Sequence, residues 1–243
     1  MFAIYKKEMR SYFINPIGYI YVGVFLVFSA LLACYTTLVA ESYDTTKYFT
    51  TMIYSFIILI PLLTMRLFAE ERKGRTEQLL LTAPVSITSM VMAKFLAAYT
   101  MYVGTILLSS VNYITLYLYS EKSTIYTNMD PNAAAIIGNT IALLLVGMCF
   151  IAIGIYVSSL TENQFAAVII TIAILLGMLF IGAFNGIINV YFIRFILSWL
   201  SIYSRYSNFA NGFFDFGALV YYVSIAIVFL FLTIRVYEKR RWN

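Results

Sequence analysis

Charge is scarce in this chain, and it is concentrated. Residues 66–86, RLFAEERKGRTEQLLLTAPVS, hold Arg66, Glu70, Glu71, Arg72, Lys73, Arg75 and Glu77, with long uncharged runs on both sides. Side chains of both signs in one short segment suit ion pairing and docking to a soluble partner; a solvated loop is the alternative. Catalytic constellations are missing. The chain has no histidine, which removes any imidazole metal site, Ser–His dyad or histidine proton relay. Its two cysteines, Cys34 and Cys149, fall inside apolar runs and read as small packing residues. No Gly-rich phosphate loop ending in Gly-Lys-Ser/Thr occurs, so the chain is not expected to be an enzyme that hydrolyses nucleotide, nor to hold a cofactor. The interiors of the apolar runs carry no ionisable side chain. That disfavours proton- or sodium-coupled transport, with sodium coordination by backbone carbonyls left open.

Within the charged segment, Glu77 in a first turn and Pro84 as a stop predict a helix of about two turns, because Ala83 is biased out of the helical region. Leu79, Leu80 and Leu81 give it a short apolar ridge. So short a helix cannot cross a bilayer and is marginal alone in water. Its leucines need cover from the bilayer surface, from the protein's own helix ends, or from a partner.

The surrounding elements are dictated by composition. The 243 residues are 62% hydrophobic and only 11% charged, with a mean hydropathy of +0.87. Soluble chains carry about a quarter charged residues, so this one is read as an integral membrane protein. Backbone polar groups in lipid must be satisfied within the segment, and about 20 residues are needed to cross. The expected fold is therefore all-α, with six transmembrane helices at about 17–40, 48–68, 91–119, 133–160, 164–184 and 217–237, in a single domain over 1–243. Placing the N-terminus in the cytoplasm puts twelve of the 16 Lys and Arg inside, Lys94 among them, and leaves Lys47, Lys122, Arg194 and Arg205 outside. Both termini are then cytoplasmic. The net charge of +5 is read as a topology signal, with no nucleic-acid partner. The first run is too long for a signal-peptide core, and Leu38 spoils a cleavage pattern before Glu41, so it is kept as an uncleaved span.

Residues 2–14 place Phe2, Tyr5, Met9, Tyr12 and Phe13 within an arc of about 100°, with Lys6, Lys7 and Arg10 on adjoining faces. This predicts an interfacial helix facing membrane lipid, against the alternative of a plain charged tail; Asn15–Pro16 breaks it. Pro61 is expected to kink the second span, for packing or for gating. The apolar, aromatic stretch 185–217 is expected outside, as a re-entrant segment between helices 5 and 6, with a further pair of crossings as the alternative. Gly147 with Gly154, and Gly182 with Gly186, suggest close helix–helix approach.

The segment MRLFAEERKGRTEQLLLTAPVS resembles the cytoplasmic stretch between the second and third helices of ABC-2 family permeases, the membrane subunits of one class of ABC transporter. The matching positions are Glu70, Glu71, Arg72, Gly74, Thr76, Glu77, Leu79, Leu80, Leu81, Pro84 and Val85; Arg75, between Gly74 and Thr76, departs from the pattern and implies different loop geometry. The C-terminal stretch is similar to permeases of the gliding-motility and nitrous-oxide-associated subtypes at Arg205, Asn208, Phe209, Gly212, Asp215, Tyr221, Arg235, Arg240, Arg241 and Trp242. SSLTENQ (158–164) resembles the family's link between helices four and five.

The resemblance implies a type V exporter-like permease subunit in a bacterial plasma membrane, with ATP and magnesium bound by a separate ATPase subunit. Two ATPase copies and a second permease subunit, identical or not, are implied with it. The coupling helix and its flanks would dock the ATPase through Glu70, Glu71, Arg72, Lys73, Gly74, Arg75, Thr76, Glu77, Gln78, Leu79, Leu80, Leu81 and Pro84. Thr161, Glu162, Asn163 and Gln164 would make a second cytoplasmic contact. The competing readings are a non-transporting membrane scaffold with a docking helix and, disfavoured by the missing histidine and buried acids, an intramembrane enzyme. Lipid-like, peptide and ion cargo all stay open.

Overall fold

The computed structural model describes residues 1–39, 46–82, 85–114, 133–184, 205–206, 209 and 215–242. Among these residues all regular structure is helical. Asn15, extended at φ −84° and ψ 145°, separates α1 (Phe2–Ile14) from α2 (Pro16–Ala33). The residue before proline is pushed out of the helical region, and proline suits a first helical position. A π-helical turn, Cys34–Val39, extends α2. Then follow α3 (Thr46–Thr64), α4 (Arg66–Lys73), α5 (Glu77–Thr82), α6 (Ile87–Ser109), α7 (Ala133–Leu160), α8 (Gln164–Phe184) and α9 (Phe216–Trp242). Several starts carry side-chain caps. Ser86 Oγ accepts from the Ser89 amide at 3.3 Å before α6. Asn163 Oδ1 accepts from Phe165 at 3.0 Å before α8, and Asp215 Oδ1 accepts from Gly217 at 2.8 Å before α9.

Six helical stretches are long and apolar enough to cross a membrane: Pro16–Thr36, Lys47–Lys73, Ile87–Ile114, Ala134–Leu160, Gln164–Ile181 and Phe216–Arg241. The protein is thus an all-α, multi-pass membrane chain. Its centre is α7, which packs on α3, α4, α6, α8 and α9. Val146, Cys149, Phe150 and Ile153 are fully buried there, as expected of a helix apolar on all sides. Gly147 and Gly154 lie against two different neighbours. A Cβ at Gly147 would collide with the Tyr102 ring of α6, and one at Gly154 with the Thr64 side chain of α3. The peripheral helices instead expose large apolar side chains, such as Val27 and Leu31 on α2, Phe165 and Ile169 on α8, and Ile227 and Phe231 on α9. An apolar surface of that extent needs a bilayer to cover it.

On α1 the aromatic arc does not form one outward face. Packing against α6 and α2 buries Tyr12 and Glu8, while Phe2 and Phe13 stay exposed. Pro61 lies inside α3, and a single turn residue, Met65, which keeps helical geometry at φ −53° and ψ −36°, separates α3 from α4 within one apolar stretch. Most of the expected re-entrant stretch 185–217, with Asn208, Gly186 and Gly212, lies outside the described residues. Within it, Tyr206 and Phe209 are buried, and the Tyr206 hydroxyl donates to Asn139 Oδ1 on α7. The Arg205 guanidinium sits 4.4 Å over the Tyr221 ring.

Candidate functional site

The charged segment folds as α4, a three-residue turn and α5. Its geometry starts at the break between α3 and α4. Proline lacks an N–H, so Pro61 leaves a backbone acceptor of the preceding turn without its usual donor. The first amides of a new helix also lack internal acceptors. Three other helices supply partners at this joint. Tyr12 of α1 donates its hydroxyl to the Leu63 carbonyl at 3.0 Å. Ser158 of α7 accepts from the Phe68 and Ala69 amides, both at 3.2 Å, and donates to the Met65 carbonyl at 3.0 Å. Lys94 of α6 donates to the Leu67 carbonyl at 2.6 Å.

Lys94 is the charge centre of this end of the bundle. Its side chain is fully buried, its Nζ is 3.0 Å from Glu8 Oε1 and 2.9 Å from Glu71 Oε2, and it lies 4.9 Å over the Phe68 ring. Lys7 Nζ reaches the other Glu71 oxygen at 2.9 Å and Glu8 at 3.6 Å. Burial alone would lower the Lys7 ammonium's pKa, but the hydrogen bond and charge of Glu71, with Glu8 beside it, hold it above the usual lysine value. Burial pushes the Tyr12 phenol up. No ionisable side chain lies inside the uncharged run that starts at residue 95, yet Lys94, just before it, is buried. Lys94 stands at the end of an uncharged run, where a lysine ordinarily snorkels to water. Here its stem is enclosed by α1 and α4, and two carboxylates replace the lost hydration. Arg66 is also buried, and pairs through Nε with Glu70 Oε2 at 2.8 Å.

Of the residues expected to dock a partner, several are engaged within the chain. Arg72 pairs with Glu162 at 2.8 Å and donates to the Leu160 carbonyl at 2.8 Å. It thereby joins α4 to the α7–α8 link, bringing the two expected contact segments together. Glu77 pairs with Arg240 Nη1 at 3.1 Å, and Arg240 Nη2 donates to the Ser159 carbonyl at 2.7 Å. Thr161 caps the end of α7, its Oγ1 donating to the Val157 carbonyl at 3.2 Å. Asn163 caps α8, and Gln164 is its first residue. Lys73, Arg75, Thr76 and Gln78 are exposed. Lys73 and Arg75 have no ion pair among the described residues. The backbone of Leu79, Leu80 and Leu81 lies in α5, while Pro84 and those leucine side chains fall outside what is described.

The turn has an unusual residue at its pivot. The Thr76 amide donates to the Glu71 carbonyl at 3.0 Å and the Arg75 amide to the Arg72 carbonyl at 3.1 Å, the pairing of a Schellman helix end. The left-handed position in that motif usually belongs to glycine. Here Gly74 keeps helical geometry (φ −80°, ψ −1°) and Arg75 takes φ 54°. The residue that departs from the family pattern is therefore the one that turns the chain.

Glu8, Lys94, Ser158 and Arg240 are members of this network that spacing alone does not single out. The available signal was Glu8, the one acid in an otherwise basic α1. No group of three His, Cys, Asp or Glu able to hold a metal converges among the described residues.

A short helix and turn, held by three spans, α6, α7 and α9, and by α1, present Lys73 and Arg75 outward. The profile described as ABC-2 family transporter protein matches residues 10–179, which include α4, α5, the turn and the α7–α8 link. Among curated proteins no match was found. With well over half of its length inside that match, the chain belongs to the ABC-2 family of transporter membrane proteins.

Proposed function

We propose that the chain is the permease subunit of an ATP-driven ABC exporter in a bacterial plasma membrane. A separate ATPase subunit hydrolyses ATP and docks on the α4–α5 segment. The two ATPase copies and the second permease subunit that such an assembly needs belong to this proposal. The observation that carries it is the anchoring of α4 and α5. Lys94, Ser158 and Tyr12 join the α3–α4 joint to α6, α7 and α1, and Arg240 joins α5 to α9. A push on so tethered a segment is delivered to several spans together, while exposed Lys73, Arg75 and Gln78 remain to meet acidic and polar groups of the partner.

Co-expression with an ATPase encoded beside this chain tests the proposal. Wild type is expected to co-purify with it and to stimulate its hydrolysis. Leu80→Asp with Leu81→Asp should abolish both while membrane insertion persists. Unchanged assembly in detergent would remove α5 from the interface, and failure of wild type to bind any ATPase would favour the scaffold reading.

A further inference from the structure

The last two turns of α9 run past the membrane and lie beside α5. On this helix Phe231 and Leu232 still present apolar surface outward, 50% and 38% exposed. The Arg235 guanidinium lies 4.9 Å over the Phe231 ring and pairs with Glu238 at 2.8 Å, as a cation does where apolar surface meets headgroups. Beyond that level the helix continues to Trp242. At about 1.5 Å per residue, Lys239 stands about 6 Å and Arg241 about 9 Å farther out along the axis. A headgroup layer is about 5–8 Å deep on each side of a bilayer, so Arg241 reaches through it.

Arg240 fixes which side of this turn is already used. It bridges Glu77 of α5 at 3.1 Å and the Ser159 carbonyl at 2.7 Å, and the Tyr237 ring lies 4.7 Å from that of Phe68 on α4. Lys239 and Arg241 point about 100° to either side of Arg240. Both are exposed, with no ion pair among the described residues. With Lys73 and Arg75 they make four uncommitted cations around the start of α5. The acids exposed on this end, Glu70, Glu162 and Glu238, are each held by an arginine. Leu160, next to the Ser159 that Arg240 grips, adds an apolar spot, 46% exposed.

We infer that the last turn of α9 belongs to the docking surface, and that its occupant is an acidic face of the ATPase subunit. Carboxylates of the partner meet Lys239 and Arg241, and its apolar surface covers Leu160. This rests on the reading that an ATPase docks on α4–α5, and it extends that contact to a fourth helix. One partner then grips α5 and α9 together, on both sides of the Arg240–Glu77 bridge, and its movement reaches α9 without passing through α5.

The test measures binding of the full chain in detergent micelles to the purified ATPase encoded beside it, at low and at moderate salt. Lys239→Glu with Arg241→Glu should weaken binding about tenfold at low salt, chiefly by slowing association, and the difference should shrink as salt rises. Lys239→Ala with Arg241→Ala should give a smaller loss of the same kind. Lys239→Arg with Arg241→Lys, which keeps both charges, should bind as wild type does. Melting temperatures in phosphatidylcholine micelles, expected to be equal for all of these, separate lost binding from lost folding. Full binding by the charge reversal, beside lost binding by Leu80→Asp with Leu81→Asp, would overturn the α9 contact alone. Wild type that binds no ATPase would overturn the docking reading and the α9 contact together. Full binding by the reversal with a lost stabilisation by phosphatidylglycerol would give these cations to lipid and overturn the inference.

Discussion

The Lys94 ammonium lies 2.9 Å from Glu71 Oε2 with no solvent contact of its own. One buried cation therefore fixes α6 to α4, and through Glu8 Oε1 at 3.0 Å to α1 as well. Breaking a buried pair by removing one partner strands the other charge, at a cost of roughly 3–5 kcal/mol. Lys94→Met should accordingly lower the melting temperature severely. Glu8→Gln added to Lys94→Met should recover part of the loss, since one stranded acid is removed. Thermal unfolding of the singles and the double as a mutant cycle measures this; strict additivity would deny the contact.

Arg75 makes an opposite prediction. A non-glycine residue in the left-handed region costs about 1 kcal/mol relative to glycine. Arg75→Gly should therefore raise thermal stability by about that amount. If Arg75 also meets the ATPase, the same change weakens complex formation, a split that binding and unfolding measurements read separately. A fall in stability would show that the side chain supports the turn.

The contact between α7 and α3 depends on Gly154. Alanine there would drive a methyl into Thr64, and overpacking of this kind costs about 1–3 kcal/mol. Gly154→Ala should destabilise the protein, and Thr64→Ala in the same chain should restore part of the loss. Unfolding midpoints of the two variants decide it, and an unchanged midpoint for Gly154→Ala alone would mean the helices separate freely.

Two C-terminal arginines should behave differently. Arg235 pairs with Glu238 in an exposed i,i+3 pair, worth little in water. Arg240 instead bridges Glu77 of α5 and the Ser159 carbonyl. A six-residue helix has little stability of its own, so Arg240→Ala should speed amide hydrogen exchange over 77–82, and Arg235→Ala should not. Equal protection in both would mean that α9 does not hold α5.

The six spans, and the absence of strands among the described residues, were legible because lipid leaves the backbone few options. An uncharged run of about 20 residues must satisfy its own amides, and only a helix does so. The network around Lys94 was not legible, because its members lie far apart in sequence. Lys94 beside an apolar run looks the same whether it snorkels to water or meets Glu8 and Glu71. Only α1 folding back onto α6 decides between them. Arg75 was visible as an interruption between Gly74 and Thr76, but its left-handed geometry was not. Conformation there is set by the hydrogen bonds of Thr76 and its own amide to the preceding turn.

Ser158 has one hydroxyl and serves three backbone groups across the Met65 break. A proline removes one backbone hydrogen bond from the turn before it and so leaves a weaker point in a span. Here the weak point borrows its bonds from a neighbouring helix, so bending at Met65 requires breaking all three together. The joint is therefore tied to α7 at three points, so a displacement of α4 is carried into that span rather than lost in the joint.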